Sequence, residues 1–376
     1  MSIVKKIEFK EFVTGPDSPS KTLKWKVNGT DLGIPCYSAK EDSLWLFFGD
    51  TFSSPLPDNN AYWRGTVIGK VKNYRFEDHL IFDSFVPDEN GYAKNLITHH
   101  KSKQEDYYER TKISQGGIEI DGVMYTFYES IRHWGEAGYW DVNYSGALRS
   151  FDGGKTWERV YDLTWADLDC KEFIPRIKEL AQQDVDLKPS GYDIDIMKHR
   201  APSFGQIYPV DGKDGYIYIF GRRGGRQYGI VVGRVVKENF EKFDEYEYLT
   251  DAEKLIWKKG AEGLAALSEN EEKARVIPSP TSNMTVIYNE YFGKWMIVYF
   301  KPSVGIVACL GDTPYGRFTE PHVLLSADFP LPYGKGFYGA FTHEYLLRDG
   351  GKRMFLIVSQ WNKLFYGSEL LEVTFE

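Results

Sequence analysis

Three carboxylates stand beside strongly apolar segments of this chain, where a charged side chain would normally be avoided. Asp31 lies in the sequence TDLG, Asp50 follows the apolar run SLWLFFG, and Glu129 follows the run MYTFY. Hydrolysis of a glycosidic bond needs two carboxyl groups that flank the bond, one protonated and one ionised. Burial and mutual repulsion can push the pKa values of such a pair apart. Asp31 and Asp50 could form this pair, although each also fits the alternative role of capping a turn.

Polar side chains also follow the later apolar segments of the chain. Arg222 and Lys301 follow two of them, and Gln360 and Trp361 follow the last. A ring of acids, cations, an amide and an indole suits a polyhydroxylated ligand better than an apolar one. The predicted substrate contacts are Arg200, Arg222, His343, Gln360 and Trp361. In the alternative interpretation, these residues merely hydrate the mouth of a channel.

These side chains can meet only if the elements that carry them converge, and a repeat in the sequence predicts such an arrangement. Five segments share a turn followed by about five apolar, aromatic-rich residues: SLWLFFG, GVMYTFY, GYIYIF, GKWMIVYF and KRMFLIVS. Their markers Trp45, Tyr125, Tyr218, Trp295 and Phe355 are 80, 93, 77 and 60 residues apart, enough for one blade of three or four strands per interval. Because the runs are apolar on both faces, we interpret them as inner strands packed between blades. We predict an all-β fold, a single five-bladed β-propeller over residues 1–376, with a two-sheet sandwich as the alternative.

Two stretches interrupt the β pattern, and one turn supports it. Trp165 to Gln183 and Asp251 to Ala274 have helical composition and spacing, so we predict short helical insertions on propeller loops. The sequence SFDGGKTW, residues 150–157, fits the Asp-box pattern S-x-D-x-G-x-T-W. In such a hairpin turn Asp152 can accept backbone N–H groups, the glycines supply positive φ, and Trp157 packs beneath. We assign this turn an architectural role and no catalytic one.

Composition excludes several classes of protein. No run of about eighteen apolar residues is present, which argues against a membrane protein. The net charge is −8 with Lys and Arg scattered, whereas a nucleic-acid binder should show a basic stripe. Cys36, Cys170 and Cys309 form no metal-ligand spacing and no disulfide framework. Since no apolar signal-peptide core follows Met1, we expect a cytoplasmic monomer, or a secreted one if the sequence is a trimmed piece.

The order of these motifs resembles that of the DUF4185 proteins, five-bladed propellers that include endo-D-arabinanases of a glycoside hydrolase family. The resemblance runs almost from end to end and rests on the motifs TDLG, FFGDTF, SFDGGKTW, YIYIFGR, VIYN, GKW, TPYG and SQW. It implies a glycosidase acting on furanosidic (arabinan-like) or related polysaccharides, with no cofactor required. In that case Asp31 and Asp50 match the two acidic motifs of the family. Glu129 would be a third acid that tunes pKa values or protonates the leaving group.

One departure from the family pattern bears on activity. A Glu often precedes the fourth-blade strand, where this chain has Asn283, so the substrate or the activity itself could be altered. The alternative function is a non-catalytic carbohydrate-binding propeller. A sialidase, which the SFDGGKTW turn also suggests, would need an arginine cluster that the sequence does not supply. The acidic centre could hold Ca²⁺, which takes oxygen ligands, although no dedicated calcium loop is present; no other metal is predicted.

Overall fold

The computed structural model describes residues 3–97, 109–167 and 200–376. They form five antiparallel β-sheets arranged as the blades of a β-propeller, so the predicted all-β, five-bladed fold is confirmed. No helix in this part of the chain is long and apolar enough to cross a membrane.

The strands follow one another from blade to blade along the chain. It begins with β1 (Val4–Phe12), which belongs to the last blade. Blade 1 contains β2 (Leu32–Ser38), β3 (Ser43–Phe48), β4 (Val67–Val71) and β5 (Ser84–Phe85). Blade 2 contains β6 (Thr111–Ile120), β7 (Val123–Trp134), β8 (Trp140–Ser150) and β9 (Glu158–Ala166). Blade 3 contains β10 (Gln206–Asp211), β11 (Tyr216–Arg222), β12 (Val231–Val236), β13 (Glu247–Asp251) and β14 (Ile256–Lys259). Blade 4 contains β15 (Met284–Asn289), β16 (Lys294–Lys301), β17 (Gly305–Gly311) and β18 (His322–Ser326). Blade 5 contains β19 (Phe337–Phe341), β20 (Leu347–Arg348), β21 (Arg353–Trp361) and β22 (Tyr366–Phe375), together with β1.

The innermost strand of each blade is its first strand and not the apolar run that marks the repeat. β2, β6, β10, β15 and β19 contact one another around the axis, whereas the markers, such as Trp45 in β3, lie in the second strands. The axis leaves little room for side chains. A Cβ on Gly116 would lie 2.7 Å from Pro209, and one on Gly117 would lie 2.8 Å from Cys36. The number and order of the repeats are as predicted, but the apolar runs are second strands and not the innermost ones, so Asp50 follows a second strand.

The two ends of the chain close the ring. β1 pairs antiparallel with β22, from Val4 opposite Phe375 to Phe12 opposite Glu369. The outermost strand of blade 5 therefore comes from the beginning of the chain, and its inner strands come from the end. Opening the ring between the chain ends thus requires β1 to leave β22.

The predicted helical insertions are only partly helical where the structure describes them. Helices α1 (Gly260–Glu269) and α2 (Glu271–Ala274) lie in the predicted segment Asp251 to Ala274, but β14 occupies part of its first half. In the other predicted segment Trp165 belongs to β9, and residues 168–183 lie outside the described residues. Short 3₁₀ helices cover Thr22–Trp25, Pro202–Phe204, Lys237–Asn239, Phe243–Glu245, Glu344–Leu346 and Asp349–Gly351.

The turn between β8 and β9 makes the hydrogen bonds expected of SFDGGKTW. Asp152 accepts two backbone N–H groups at 3.0 and 2.9 Å and the Thr156 hydroxyl at 2.7 Å. Both glycines have positive φ, and Trp157 packs edge-on against Phe47 of blade 1. The turn therefore joins blades 1 and 2, and none of its residues lines the cavity described below.

Glu369 places a carboxyl group in the buried interior of blade 5. It lies on β22 opposite Val358 of β21 and Phe12 of β1, and it is fully buried. Neither of its carboxyl oxygens makes a hydrogen bond within the described residues. Burial raises the pKa of Glu369 to about 8. The unfolded chain releases the same proton near the ordinary glutamate pKa of about 4.3.

We expect Glu369→Gln to raise the free energy of unfolding relative to the native chain, by an amount that grows between pH 4 and pH 8. The native folded state keeps a proton that the unfolded state releases in this range, so native stability falls as the pH rises. The gain should reach the order of 3 kcal/mol at pH 8, measured by denaturant unfolding at several pH values. Glu372, on the same strand, is the matched control: Arg353 and Lys10 lower its pKa, so Glu372→Gln should destabilise the fold at pH 8. An identical pH dependence in the native and Glu369→Gln chains would contradict the prediction.

Candidate active site

A cavity of about 300 Å³ opens at the end of the ring where the innermost strands begin. Its lining includes all three predicted acids, Asp31, Asp50 and Glu129, and also Trp361. Asp31 directly precedes β2, Asp50 follows β3, and Glu129 lies in β7. Blades 1 and 2 therefore bring together carboxyl groups that are far apart along the chain.

A strained turn at the start of β2 positions Asp31. Leu32 has a φ of 66°, which costs about 1 kcal/mol or more for a non-glycine residue. Two serines of blade 5 hold this turn: the Leu32 N–H donates to Ser359 Oγ at 2.9 Å, and Ser368 Oγ donates to the Leu32 carbonyl at 3.0 Å. Blade 5 also supplies Tyr338, whose hydroxyl donates to Asp31 Oδ2 at 2.6 Å. The orientation of Asp31 thus depends on contacts with the last blade.

Two hydrogen bonds hold the carboxyl group of Asp50, and the glycine before it leaves room for Asp31. Trp63 Nε1 and the Thr111 hydroxyl donate to Asp50 Oδ1 at 2.8 and 3.0 Å. A Cβ on Gly49 would lie 2.3 Å from Asp31 Oδ1. Because Gly49 has no side chain, the two carboxyl groups can occupy adjacent positions in the cavity wall.

Glu129 is only 2% exposed and receives three N–H donors. Gln115 Nε2 and Gln206 Nε2 each lie 2.7 Å from Oε1, and Trp140 Nε1 lies 2.9 Å from Oε2. Gln115 in turn accepts a hydrogen bond from Asn283 Nδ2 at 2.9 Å. Asn283, the residue that departs from the family pattern, is therefore linked to Glu129 through Gln115.

Burial raises the pKa values of all three acids. The pKa of Asp31 is raised to about 6, and those of Asp50 and Glu129 are each raised to about 7. The charge of Asp31 further raises the pKa of Asp50 and of Glu129, while Arg226 lowers that of Asp31. Near neutral pH the coupled cluster holds both protonated and ionised carboxyl groups. This combination is what general acid–base catalysis requires.

Aromatic rings with exposed faces surround the mouth of the cavity. Trp134, Tyr139 and Trp361 line it and are 41%, 55% and 54% exposed. The first two belong to the β7–β8 hairpin of blade 2, and Trp361 ends β21 of blade 5, so the rings come from different walls. Such rings can bury the apolar face of a sugar while its hydroxyl groups meet polar side chains.

Two predicted substrate contacts lie behind the cavity wall. Arg222 is buried, its guanidinium lies 5.7 Å from the Trp140 ring, and its charge lowers the pKa of Glu129. Gln360 is also buried, and its Nε2 donates to the Gly334 carbonyl at 2.6 Å. Neither residue lines the cavity.

Two other predicted contacts lie away from the acids. Arg200 lines a separate cavity beside α1. His343 lines a cavity of about 340 Å³ at the opposite end of the ring, where the innermost strands end. Burial lowers the pKa of His343 to about 4, and its Nδ1 accepts the Tyr345 N–H at 3.2 Å. The structure therefore does not bring Arg200 and His343 together with Asp31 and Asp50.

Several residues of the site cannot be identified from the sequence, and the most important of them is Arg226. Its guanidinium lies 4.9 Å from the Tyr338 ring and 5.4 Å from the Phe300 ring, and its backbone N–H donates to the Gly138 carbonyl at 2.9 Å. Within the described residues it is the one Lys or Arg that lines the cavity. The sequence GRRGGR signals a loop rich in arginine but not which arginine turns inward.

The described residues give no support for a metal site. Across residues 3–97, 109–167 and 200–376, no group of three His, Cys, Asp or Glu side chains is placed to hold a metal ion. Ca²⁺ at the propeller centre stays a prediction.

Solved structures with similar folds include a provisionally named hydrolase from Bacteroides ovatus ATCC 8483. It is 13% identical with a TM-score of 0.60, and the match covers 92% of this chain and 86% of that one. A native Bacillus subtilis arabinanase is 12% identical with a TM-score of 0.47, covering 92% and 96%. At 13% identity, the first of these establishes a shared fold alone. No curated protein matches this sequence. The family described as a domain of unknown function, DUF4185, matches residues 17–371, and the chain belongs to that family.

Proposed function

We propose that this protein is a glycoside hydrolase that cleaves a polysaccharide by two-carboxylate acid–base chemistry. The observation that carries the proposal is the meeting of Asp31, Asp50 and Glu129 at one cavity, with pKa values raised toward neutrality. The exposed aromatic rings around the cavity suit a sugar ligand. The fold shared with the provisionally named hydrolase from Bacteroides ovatus is consistent with this chemistry.

In the proposed reaction Asp31 and Asp50 flank the glycosidic bond. The protonated one donates its proton to the leaving oxygen. The ionised one either removes a proton from the attacking water or itself attacks the anomeric carbon. Glu129 is almost inaccessible and surrounded by N–H donors, so we assign it to tuning the pKa values of the pair.

The substrate that we propose is a furanosidic, arabinan-like or related polysaccharide. This choice rests on the family resemblance, in which Asp31 and Asp50 occupy the matching acidic motifs. The charge of the cavity also limits the kind of sugar that it can bind. In the described part of the chain, Arg226 is the one cation that lines the cavity, and the acids that line it are more numerous. A neutral sugar is therefore favoured over a sialic acid, whose carboxylate would be repelled.

A non-catalytic carbohydrate-binding propeller is the second candidate, and Asn283 is the observation that favours it. Asn283 lines the cavity at a position where the family often has Glu. An amide can bind a sugar hydroxyl but cannot transfer a proton. In this candidate the same face holds a glycan without cleaving it.

Release of oligosaccharides from a panel of arabinans, arabinogalactans and other plant glycans distinguishes the two candidates. We expect release by the native chain and none by Asp50→Asn, with glycan binding retained by both. Asp312→Asn is the matched control, because Asp312 has a side chain that is 85% exposed on blade 4, and it should release oligosaccharides like the native chain. Binding without release by every variant would exclude the hydrolase and leave the binding propeller.

A further inference from the structure

The two amide groups that contact Glu129 are held differently. A carboxylate oxygen only accepts hydrogen bonds, so Gln115 and Gln206 both turn their amide nitrogens toward it. Gln115 is fixed from its other side, because its oxygen accepts Asn283 Nδ2 at 2.9 Å and Asn283 Oδ1 accepts Ser282 Oγ at 3.2 Å. The oxygen of Gln206, by contrast, is buried and makes no hydrogen bond within the described residues. One amide is therefore locked, and the other is held at one end only.

When Glu129 takes up a proton, its carboxyl group needs a hydrogen-bond acceptor as well as donors. The protonated carboxyl group carries an O–H that needs an acceptor. Trp140 Nε1 can only donate, and Gln115 cannot turn without losing its hydrogen bond to Asn283. Half a turn of the Gln206 amide would place its oxygen beside Glu129. Because the oxygen of Gln206 makes no hydrogen bond in the part of the chain that the structure describes, this turn breaks no second hydrogen bond there.

We propose that Gln206 is a positioning residue that turns its amide with the protonation state of Glu129, whereas Gln115 is a fixed donor. Gln206 thereby gives the buried carboxyl group of Glu129 a hydrogen-bond partner both when that group is ionised and when it carries a proton. Among the charged groups around Glu129, Arg222 favours its ionised form and Asp31 opposes it, and Asp50 and Arg226 line the same cavity. Only the use of this proton in catalysis rests on the proposed function, because the protonation of Glu129 does not require a substrate.

NMR spectroscopy of the chain labelled with ¹⁵N-glutamine tests this inference between pH 5 and pH 9. We expect the side-chain NH₂ signals of Gln206 to shift through a transition centred near pH 7, where Glu129 titrates. The NH₂ signals of Gln115, which lies equally close to Glu129 at 2.7 Å, should move much less. Gln206→Met and Gln115→Met assign the two sets of signals by their loss.

Three further variants separate the turning of Gln206 from a general effect of pH. Glu129→Gln should abolish the transition. Asn283→Ala removes the lock, so the Gln115 signals should begin to shift with the same midpoint. Gln360→Met is the matched control, because Gln360 is another buried amide whose oxygen has no partner in the described part of the chain. It should leave the Gln206 transition unchanged.

Two results would overturn the inference. One is that the Gln206 signals stay constant from pH 5 to pH 9, and the other is that Gln115 and Gln206 shift equally in the native chain. A native chain that shows the expected transition but releases no oligosaccharide would refute the hydrolase and leave the turning of Gln206 standing.

Discussion

Replacing Asp31 with asparagine is expected to lower the rate of the proposed glycan cleavage about a thousandfold, in line with the loss of general acid–base catalysis. The asparagine keeps the size of the side chain, and its oxygen can still accept the Tyr338 hydroxyl that donates to Asp31 at 2.6 Å. It can neither give nor take a proton at neutral pH. The measurement is kcat on the polysaccharide that the native chain cleaves fastest, with binding of the same glycan measured in parallel.

The pH dependence of stability in the same variant serves as its control. Burial raises the pKa of Asp31 to about 6, so the folded native chain keeps a proton that the unfolded chain releases from about pH 4 upward. Native stability therefore falls between pH 4 and pH 6, and Asp31→Asn lacks this loss. The stability of the variant relative to the native chain should rise across that range. A stability difference between the variant and the native chain that stayed constant from pH 4 to pH 6 would contradict a raised pKa of Asp31 in the folded state.

Deleting residues 1–12 is expected to abolish the cooperative unfolding transition. The deletion removes β1 from blade 5, and with it the contacts of the Phe12 ring with the rings of Tyr333 and Phe365 at 5.5 and 5.3 Å. It also leaves β22 as an edge strand with unpaired backbone groups. A nine-residue strand contributes hydrogen bonds of about 1 kcal/mol each and apolar burial besides. That sum is comparable to the total stability of a typical domain, about 5 to 15 kcal/mol. Thermal melting followed by circular dichroism measures the effect.

Complementation provides the control for this deletion. A synthetic peptide of residues 1–14, added to the truncated chain, should restore the transition, and a peptide of the same composition in scrambled order should not. A truncated chain that melts at the native midpoint would show that the remaining strands close the ring without β1.

Five blades could be predicted from the sequence because every blade needs one strand that is covered on both faces. Such a strand must be apolar throughout, and the runs around Trp45, Tyr125, Tyr218, Trp295 and Phe355 carry that signal. The acids were detectable for a related reason. A carboxylate beside a buried run, such as Asp50 after SLWLFFG, requires either a cavity or a partner. The sequence could not show that these runs are second strands. The strands at the axis need small residues such as Gly116, and small residues are only a weak signal in a sequence.

The end of the ring that each side chain faces was decided by the tertiary structure. Tyr338 and His343 are five residues apart, on or just after the same strand β19, yet they line cavities at opposite ends of the ring. No periodic pattern distinguishes them, because the direction of β19 relative to the acids is set by the packing of the whole ring.

The sequence by itself determined the repeat, the β class and the positions of Asp31, Asp50 and Glu129 beside buried strands, because these follow from local patterns of polarity. Only the tertiary structure decided what surrounds the acids. Gln115 of blade 2 and Gln206 of blade 3 donate to Glu129, and Asn283, at the start of blade 4, donates to Gln115. Their chemistry is that of ordinary polar side chains, and they form one hydrogen-bonded set around Glu129, in which Asn283 holds Gln115, only because closure of the ring brings the innermost strands together.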